Sequence, residues 1–255
     1  MSKKKNSLKR KSIHLGSYAE ILIPHLERVL KKNQPVMNRI AKRLIKDITS
    51  GKSLFVFGSG HSSIFSFELY HRAGGPSFLI PMVADYLLPT AGPPVVRMFE
   101  RSPESAVVLL NRHAIQRGEM LWIASQSGVN GAGVELALEA KRRGIFTVAF
   151  TSLKHSKSVQ SRHASGKRLF EVCDEVVDLM GERGDAALEV AQGVKAGPLS
   201  SMGSIFLAHS TLSVTMAELE KKGIHCVYTS VNTPEGEARN KEIEKQAALR
   251  DPLLR

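Results

Sequence analysis

Leu54-Phe55-Val56-Phe57-Gly58-Ser59-Gly60-His61-Ser62-Ser63 is an apolar run that closes on a glycine and opens into small, hydroxyl-bearing residues. A short apolar run bounded by a turn suits a strand covered on both faces, as in a parallel sheet. The pattern returns at Met120-Leu121-Trp122-Ile123-Ala124, followed by Ser125-Gln126-Ser127-Gly128-Val129-Asn130-Gly131. Further strand-like runs are Phe78-Leu79-Ile80, Thr147-Val148-Ala149-Phe150 and Glu175-Val176-Val177-Asp178-Leu179. Helical spacing lies between most of them. It covers 103–116 and 132–143, where Val134, Ala137, Leu138 and Lys141 share a side and Gly144 is the stop. Strand and helix in alternation predict a doubly wound α/β fold, a parallel sheet sandwiched between helices. Residues 165–172 read as a short connecting helix. Residues 200–222 read as one long helix with Ile205, Leu212, Met216 and Leu219 on its apolar stripe, and 224–231 as a sixth strand.

Ahead of the first strand, Tyr18, Ile21, Leu22, Leu26, Val29 and Leu30 recur at three- and four-residue steps. Residues 17–50 are therefore expected to form a helical arm. Pro24 is a possible kink, and Pro35 ends the helix or starts a second one. Such an arm serves either as an oligomer contact or as a cover for its own domain. The division expected is a basic, disordered tail over 1–16, the arm over 17–50, the sheet domain over 51–232 and a polar tail with a helix over 233–255.

The formal charge of the 255 residues is +12, and residues 1–12 carry Lys3, Lys4, Lys5, Lys9, Arg10 and Lys11 without an acid. That tail reads as a solvated segment, with nucleic acid or an anionic surface as the alternative partner. No zinc-finger or RNA-recognition spacing appears elsewhere. Two cysteines, Cys173 and Cys226, give no disulfide framework, and no apolar run reaches membrane-spanning length. A cytoplasmic protein without membrane partners is expected.

In an open parallel sheet, ligands sit beyond the carboxyl ends of the strands. Two such ends open into serine- and glycine-rich loops that lead into helices. A helix start leaves about four N–H groups without partners and carries partial positive charge, and small residues let an anion come close. Ser63 stands where a dinucleotide fingerprint needs its third glycine, and neither loop ends in Gly-Lys-Ser/Thr. Nicotinamide and triphosphate chemistry are disfavoured, and a small phosphate ester is favoured.

Ser125-Gln126-Ser127-Gly128-Val129-Asn130 resembles the phosphosugar loop of the SIS (sugar isomerase) family. Gly58-Ser59-Gly60-His61-Ser62 with Arg72-Ala73-Gly74-Gly75, Thr151 to Ser156, Ser161 to Lys167, Gly184-Asp185-Ala186 and Gly197 to Ser201 extend the likeness over about residues 18–245. They are similar to a phosphoheptose-isomerase-like branch. The resemblance implies a five-stranded parallel sheet with flavodoxin-like winding, a homodimer or homotetramer with sites near the subunit interface, and no cofactor. It implies that Ser125, Ser127 and Asn130 hold phosphate, with Gln126 and Gly128 in the same loop. Ser59 and Ser62 would support the sugar or its phosphate, beside Gly60 and Ser63. Val129 replaces a common acidic or asparagine position, where a backbone N–H would serve equally.

Aldose–ketose isomerisation needs a base near neutral pKa and an acid for the carbonyl oxygen. His61 lies inside the first loop. Glu68 falls toward the apolar face of the following helix, where burial would make it a base; the alternative is an ion pair with Arg72. His155 and His163 lie in a serine-rich segment, 151–167, that reads as a lid or as an ordinary surface loop. Asp185 reads as the cap of a helix starting at Ala186, with sugar ring opening as the alternative, Glu100 as a weaker acid/base candidate in a loop, Lys195 as a solvated cation with phosphate neutralisation as the alternative, and His209 as a core or interface residue. The spacing of His61, His155 and His163 matches no metal motif. A sugar-phosphate isomerase is the leading reading. A lyase or etherase on the same fold, and a non-catalytic phosphosugar sensor, are the alternatives.

Overall fold

A computed structural model describes residues 12–255. The elements run α1 Ser17–Thr49, β1 Leu54–Gly58, α2 Ile64–Leu69, β2 Leu79–Met82, α3 Pro93–Arg101, α4 Glu104–Arg112, β3 Met120–Ala124, α5 Gly131–Arg142, β4 Phe146–Thr151, α6 Leu153–Lys157, α7 Leu169–Val172, β5 Glu175–Asp178, β6 Ala186–Ala191, β7 Val194–Pro198, α8 Ser200–Lys221 and α9 Pro234–Ala247. Five strands form one parallel sheet in the order β2-β1-β3-β4-β5, the flavodoxin-like winding. Strand order reverses at β1, so β1 and β3 lie side by side while their connections leave in opposite directions.

Both faces of the sheet are dry, which explains the continuous apolar runs. Leu54, Val56, Met120, Trp122 and Val148 join α1, α2 and α8 in one core. Phe55, Phe57, Leu121, Ile123 and Ala149 join α4, α5 and α7 in the other. Phe65 of α2 packs its ring on Phe150 and Trp122, at centroid distances of 4.9 and 6.3 Å, fixing the helix after β1 against β3 and β4.

Four expectations need correction. α1 is continuous through both prolines. Pro24 and Pro35 are exposed, and so are Glu20 and Lys31, whose carbonyls lose their helical partners, so water can replace the missing bonds. Residues 224–231 are no sheet strand. They run beside 74–77, where Pro76 has no N–H to give, and the Glu220 carboxylate takes the amides of Cys226 and Val227. No helix starts at Ala186; β6 and β7 form an antiparallel hairpin there. Glu100 lies in the last turn of α3, not in a loop, because Pro93 and Pro94 open a helix at the one place where proline fits it. The basic run through Lys11 lies outside the described residues.

α1 is the cover of its own sheet. It packs along α8 and along β5, where the buried Asn33 side chain acts as a substitute strand neighbour. Its Nδ2 donates to Asp178 O at 2.8 Å and its Oδ1 accepts from Asp178 N at 2.8 Å. At the opposite end of the sheet, the fully buried Glu119 carboxylate accepts from Ser53 N, Gln116 N and Arg250, tying the segment after α9 to the strand starts. Asn33→Leu removes both bonds to Asp178 and leaves an inner backbone N–H and C=O without partners. An equilibrium urea unfolding curve should lose about 2 kcal/mol, by the usual cost of orphaned groups.

Candidate functional site

A cleft of about 430 Å³ opens at the carboxyl ends of the strands, and Ser59, Gly60, His61, Ser62, Ser125, Gln126, Ser127, Asn130 and His155 line it. The register that pairs Gly58 with Ala124 brings the two loops to the same level. Gly58 has to be glycine: a Cβ there would stand 2.1 Å from the Ser62 carbonyl, so the chain could not turn back into its helix. Gly128, at φ +61°, makes the second turn, and a Cβ there would press on Thr151 Oγ1 at 2.9 Å. Gly128 and Ser63 shape the loops without lining the cleft. Ser63 Oγ donates back to Gly60 O at 2.7 Å.

The second loop has its carbonyls occupied and its amides free. Gln126 O accepts from Ser152 N and Thr151 Oγ1, Gly128 O from Leu169 N, and Val129 O from Arg162 N. Among the described residues, the N–H groups of Gln126, Ser127, Val129 and Asn130 reach no acceptor. α5 starts directly behind them at Gly131. Several unpartnered amides at a helix start form an anion-binding concavity. The hydroxyls of Ser59, Ser62 and Ser127 are likewise uncommitted, whereas Ser125 Oγ accepts from Gly128 N at 3.2 Å. Both polar atoms of the Gln126 side chain are buried without a partner, and so is His155 Nδ1.

Two expected catalytic residues stand elsewhere. Glu68 pairs with Arg72, four residues along, and its Oε1 lies 3.5 Å from His209 Nε2, beside the cleft on the α2–α8 face. His163 is held by Glu135 at 2.8 Å and by Ser165, so it pins the loop after α6 instead of facing ligand. The segment 151–167 is accordingly tied down at several points. Lys195 sits on the exposed hairpin.

Sequence reasoning named Glu100 as a weaker acid/base candidate but missed the rest of its wall, made of Pro89, Pro93, Val96 and Arg97. The signal was present: Pro93-Pro94 followed by Val96, Arg97 and Glu100 at three- and four-residue steps is a helix with one face. Asp185 and Ser200 close the far end. Asp185 is a cap, but of α8: its carboxylate accepts from Leu199 N at 3.3 Å, Ser200 N at 3.0 Å and Ser200 Oγ at 2.6 Å.

Burial lowers the pKa of His155, partly opposed by Asp185, which favours its neutral imidazole form. Burial raises Glu100 against the pull of Arg162, Arg101, Asn130 and Arg97. Burial holds the thiols of Cys173 and Cys226 at about 12, which leaves neither as a nucleophile. No group of three or more ligating side chains suited to a metal occurs among the described residues, and none of their helices is long and apolar enough to cross a membrane.

Comparisons with known proteins agree on the fold. A family model described as "SIS domain" matches residues 17–152. A UPF0309 protein of Shouchella clausii is 33% identical over 90% of this chain and 95% of its own length. One from Caldanaerobacter subterraneus is 34% identical, with 91% and 96% covered. Phosphoheptose isomerases of Neisseria gonorrhoeae and Francisella tularensis superpose with TM-scores of 0.54 and 0.50. Their identities are 12% and 14%, and in both cases 79% of this chain and 96% of the other are covered. At such identities the likeness speaks for the fold alone.

His25, His155 and His209 all have pKa values lowered first by burial. Each binds a proton more readily in the unfolded chain, where its pKa is about 6.5. Stability should therefore fall as pH drops below about 6.5, and keep falling until the folded-state values are passed. Urea midpoints at pH 7.5 should exceed those at pH 5.5, and His25→Gln with His155→Gln should narrow the gap.

Proposed function

Because this chain belongs to the SIS-domain family, we propose that its cleft binds a sugar phosphate and isomerises it between aldose and ketose through an enediol. The phosphate sits on the free amides of Gln126, Ser127, Val129 and Asn130, with the hydroxyls of Ser59, Ser62 and Ser127 around it. The observation that carries this reading is the Gln126 side chain. An amide that lines a cleft with both polar atoms buried and unpartnered costs the empty protein stability, about 1–3 kcal/mol per group. Sugar hydroxyls, donors and acceptors at once, would satisfy it once the side chain turns toward the cleft. His61 and His155 offer imidazoles for proton transfer at the same cleft.

Glu68 and His209 enter a second reading, in which two copies of the chain complete the site. The pair lies on a face where Ile64, Phe67 and Met202 are about half exposed, at 49, 51 and 49%. Three large apolar side chains around a carboxylate–imidazole pair are what a subunit contact would bury. Phe67→Glu should then turn a dimer or larger assembly into monomers in sedimentation, and Glu68→Gln should lower turnover only in the assembled form. A lyase would release a substituent from the same sugar phosphates, and a sensor would bind them without proton exchange, so product analysis separates the three.

A thermal-shift panel tests the anchor. Sugar phosphates at 100 times their dissociation constant should stabilise the protein by about 2.7 kcal/mol, and the free sugars should not. Ser127→Ala should weaken binding about tenfold. Gln126→Leu should raise the melting temperature of the empty protein while weakening sugar-phosphate binding at least tenfold. Free sugars that stabilise as well as their phosphates, or unchanged affinity in Gln126→Leu, would remove the basis for the reading.

A further inference from the structure

We propose that Arg97 receives a second acidic group of the ligand, so that the cleft is built for a sugar phosphate bearing a carboxylate or another phosphate apart from the one held by the loops. The proposal rests on the sugar-phosphate reading above and narrows its substrate class.

The wall formed by α3 carries more positive charge than the fold uses. Pro93, Val96, Arg97 and Glu100 line the cleft at three- and four-residue steps, so they share one side of the helix. Three guanidinium groups, those of Arg97, Arg101 and Arg162, act on the Glu100 carboxylate. Glu100 takes a hydrogen bond from the Asn130 side chain, and Asn130 Oδ1 accepts from Arg162 Nη1 at 2.6 Å. One carboxylate is thereby matched to one cation through one amide. Among the described residues, the side chains of Arg97 and Arg101 form no ion pair and no hydrogen bond. Two cations remain that the protein does not neutralise, and Arg97 is the one bordering the cleft. The other carboxylate of the cleft, Asp185, is turned to the start of α8, where three donors and the helix dipole offset its charge.

The phosphate on the second loop does not need Arg97. The amides ahead of α5 and the serine hydroxyls already face it. Placement also separates the two. Val96 Cγ1 and Glu100 Oε2 come 3.6 and 3.8 Å from where a Gly60 Cβ would stand, so this stretch of α3 leans on the first loop. The end of α3 reaches the start of α5, where a Cβ on Gly131 would stand 2.3 Å from the Arg101 carbonyl oxygen. Arg97 lies a full turn back from that contact, about 6 Å along the helix axis. Glu100, bonded to Asn130, comes between. An anion on the amides meets this carboxylate before it meets Arg97, and a guanidinium beyond a carboxylate is placed for a different anion.

The chemistry of Arg97 defines that anion. Its planar fork of N–H donors fits the paired oxygens of a carboxylate or a phosphate. Pro89, Pro93 and Val96 border it with apolar surface, which offers the guanidinium no competing acceptor and lowers the local dielectric. The ligand then has two acidic groups with hydroxyl-bearing carbons between them. Its second acid lies away from the carbons that exchange oxidation state, because a carboxyl carbon is the carbonyl of neither an aldose nor a ketose.

The test is binding to the full chain, followed by isothermal titration calorimetry. Glucose 6-phosphate and fructose 6-phosphate serve as single acids, 6-phosphogluconate and fructose 1,6-bisphosphate as their counterparts with a second acid; all four probe recognition, not turnover. At least one diacid should bind tenfold or more tightly than its single-acid counterpart, and the pair that shows it tells carboxylate from phosphate. Arg97→Met should shrink that advantage to threefold or less, leave the single acids within twofold of wild type and leave the melting temperature of the empty protein unchanged. Arg97→Lys should recover part of the advantage. Arg112→Met, which removes the same charge from the exposed end of α4, should change no affinity more than twofold. Diacids no tighter than single acids overturn the proposal. So does an equal loss for both kinds in Arg97→Met, which would make Arg97 a partner of the loop-held phosphate, or an equal effect of Arg112→Met, which would reduce the preference to general attraction. Each of these leaves the sugar-phosphate reading standing. Binding by none of the four ligands, or glucose binding as tightly as glucose 6-phosphate, overturns that reading and the role of Arg97 with it.

Discussion

The parallel pairing of β1 with β3 is the constraint from which the site follows. Gly58 opposite Ala124 means that the first loop and the second leave the sheet at one level, on the two sides of the point where strand order reverses. A slip of one residue would move the loops about 3.3 Å relative to one another and exchange every side chain between faces. In a sheet with one wet face, polarity forbids such a slip. Here both faces are apolar, so polarity cannot choose. Size does: Trp122 stands between Val56 and Val148, a large ring flanked by two small side chains, with Phe65 and Phe150 packed against it. The same aromatic contacts hold α2 in place, so the register and the direction in which the first loop turns are set by one cluster.

Once the loops are adjacent, their chemistry comes from backbone more than from charge. The carbonyls of Gln126, Gly128 and Val129 are drawn away by the end of β4, the loop after α6 and the start of α7. What remains facing no partner is a set of amides. The segment 151–167 therefore contributes less as a cover than as a scaffold that rotates peptide groups. His163, fixed on Glu135 and Ser165, belongs to that scaffold. It keeps Arg162 N bonded to Val129 O at 2.8 Å and the adjacent guanidinium beside Asn130.

The strands, the long helices and the two loops were legible because each depends on local pattern: period, apolar runs, glycine next to serine. What escaped depends on partners distant in the chain. Proline was read as a breaker in 17–50, yet the exposed side of α1 tolerates two of them. Glu100 was read as part of a loop, where Pro93 and Pro94 start a helix that supplies a cleft wall. Asp185 was recognised as a cap, but its helix begins fifteen residues later, beyond a hairpin. The apolar stretch 224–231 carries strand-like residues, but the amides of Cys226 and Val227 are already taken by Glu220, a fact that no periodicity reports. Resemblance named the loops as a group, but it could not say that Gly128 and Ser63 shape the turns while Gln126 waits unpartnered.

The charge distribution fits an anion held by dipoles. Half of the excess of +12 lies in residues 1–12. Within the walls, Arg97 forms no ion pair among the described residues, and Glu100 stands close enough to feel it. Lysines crowded around a phosphate would hold it at least as firmly, but in a low-dielectric cleft they would also hold a carboxyl fully ionised and weakly basic. Amides and hydroxyls grip through many short, directional bonds whose field fades within a few ångströms. That arrangement lets a phosphate and a carboxyl with raised pKa share one small cavity, a combination that a ring of formal charges would not permit.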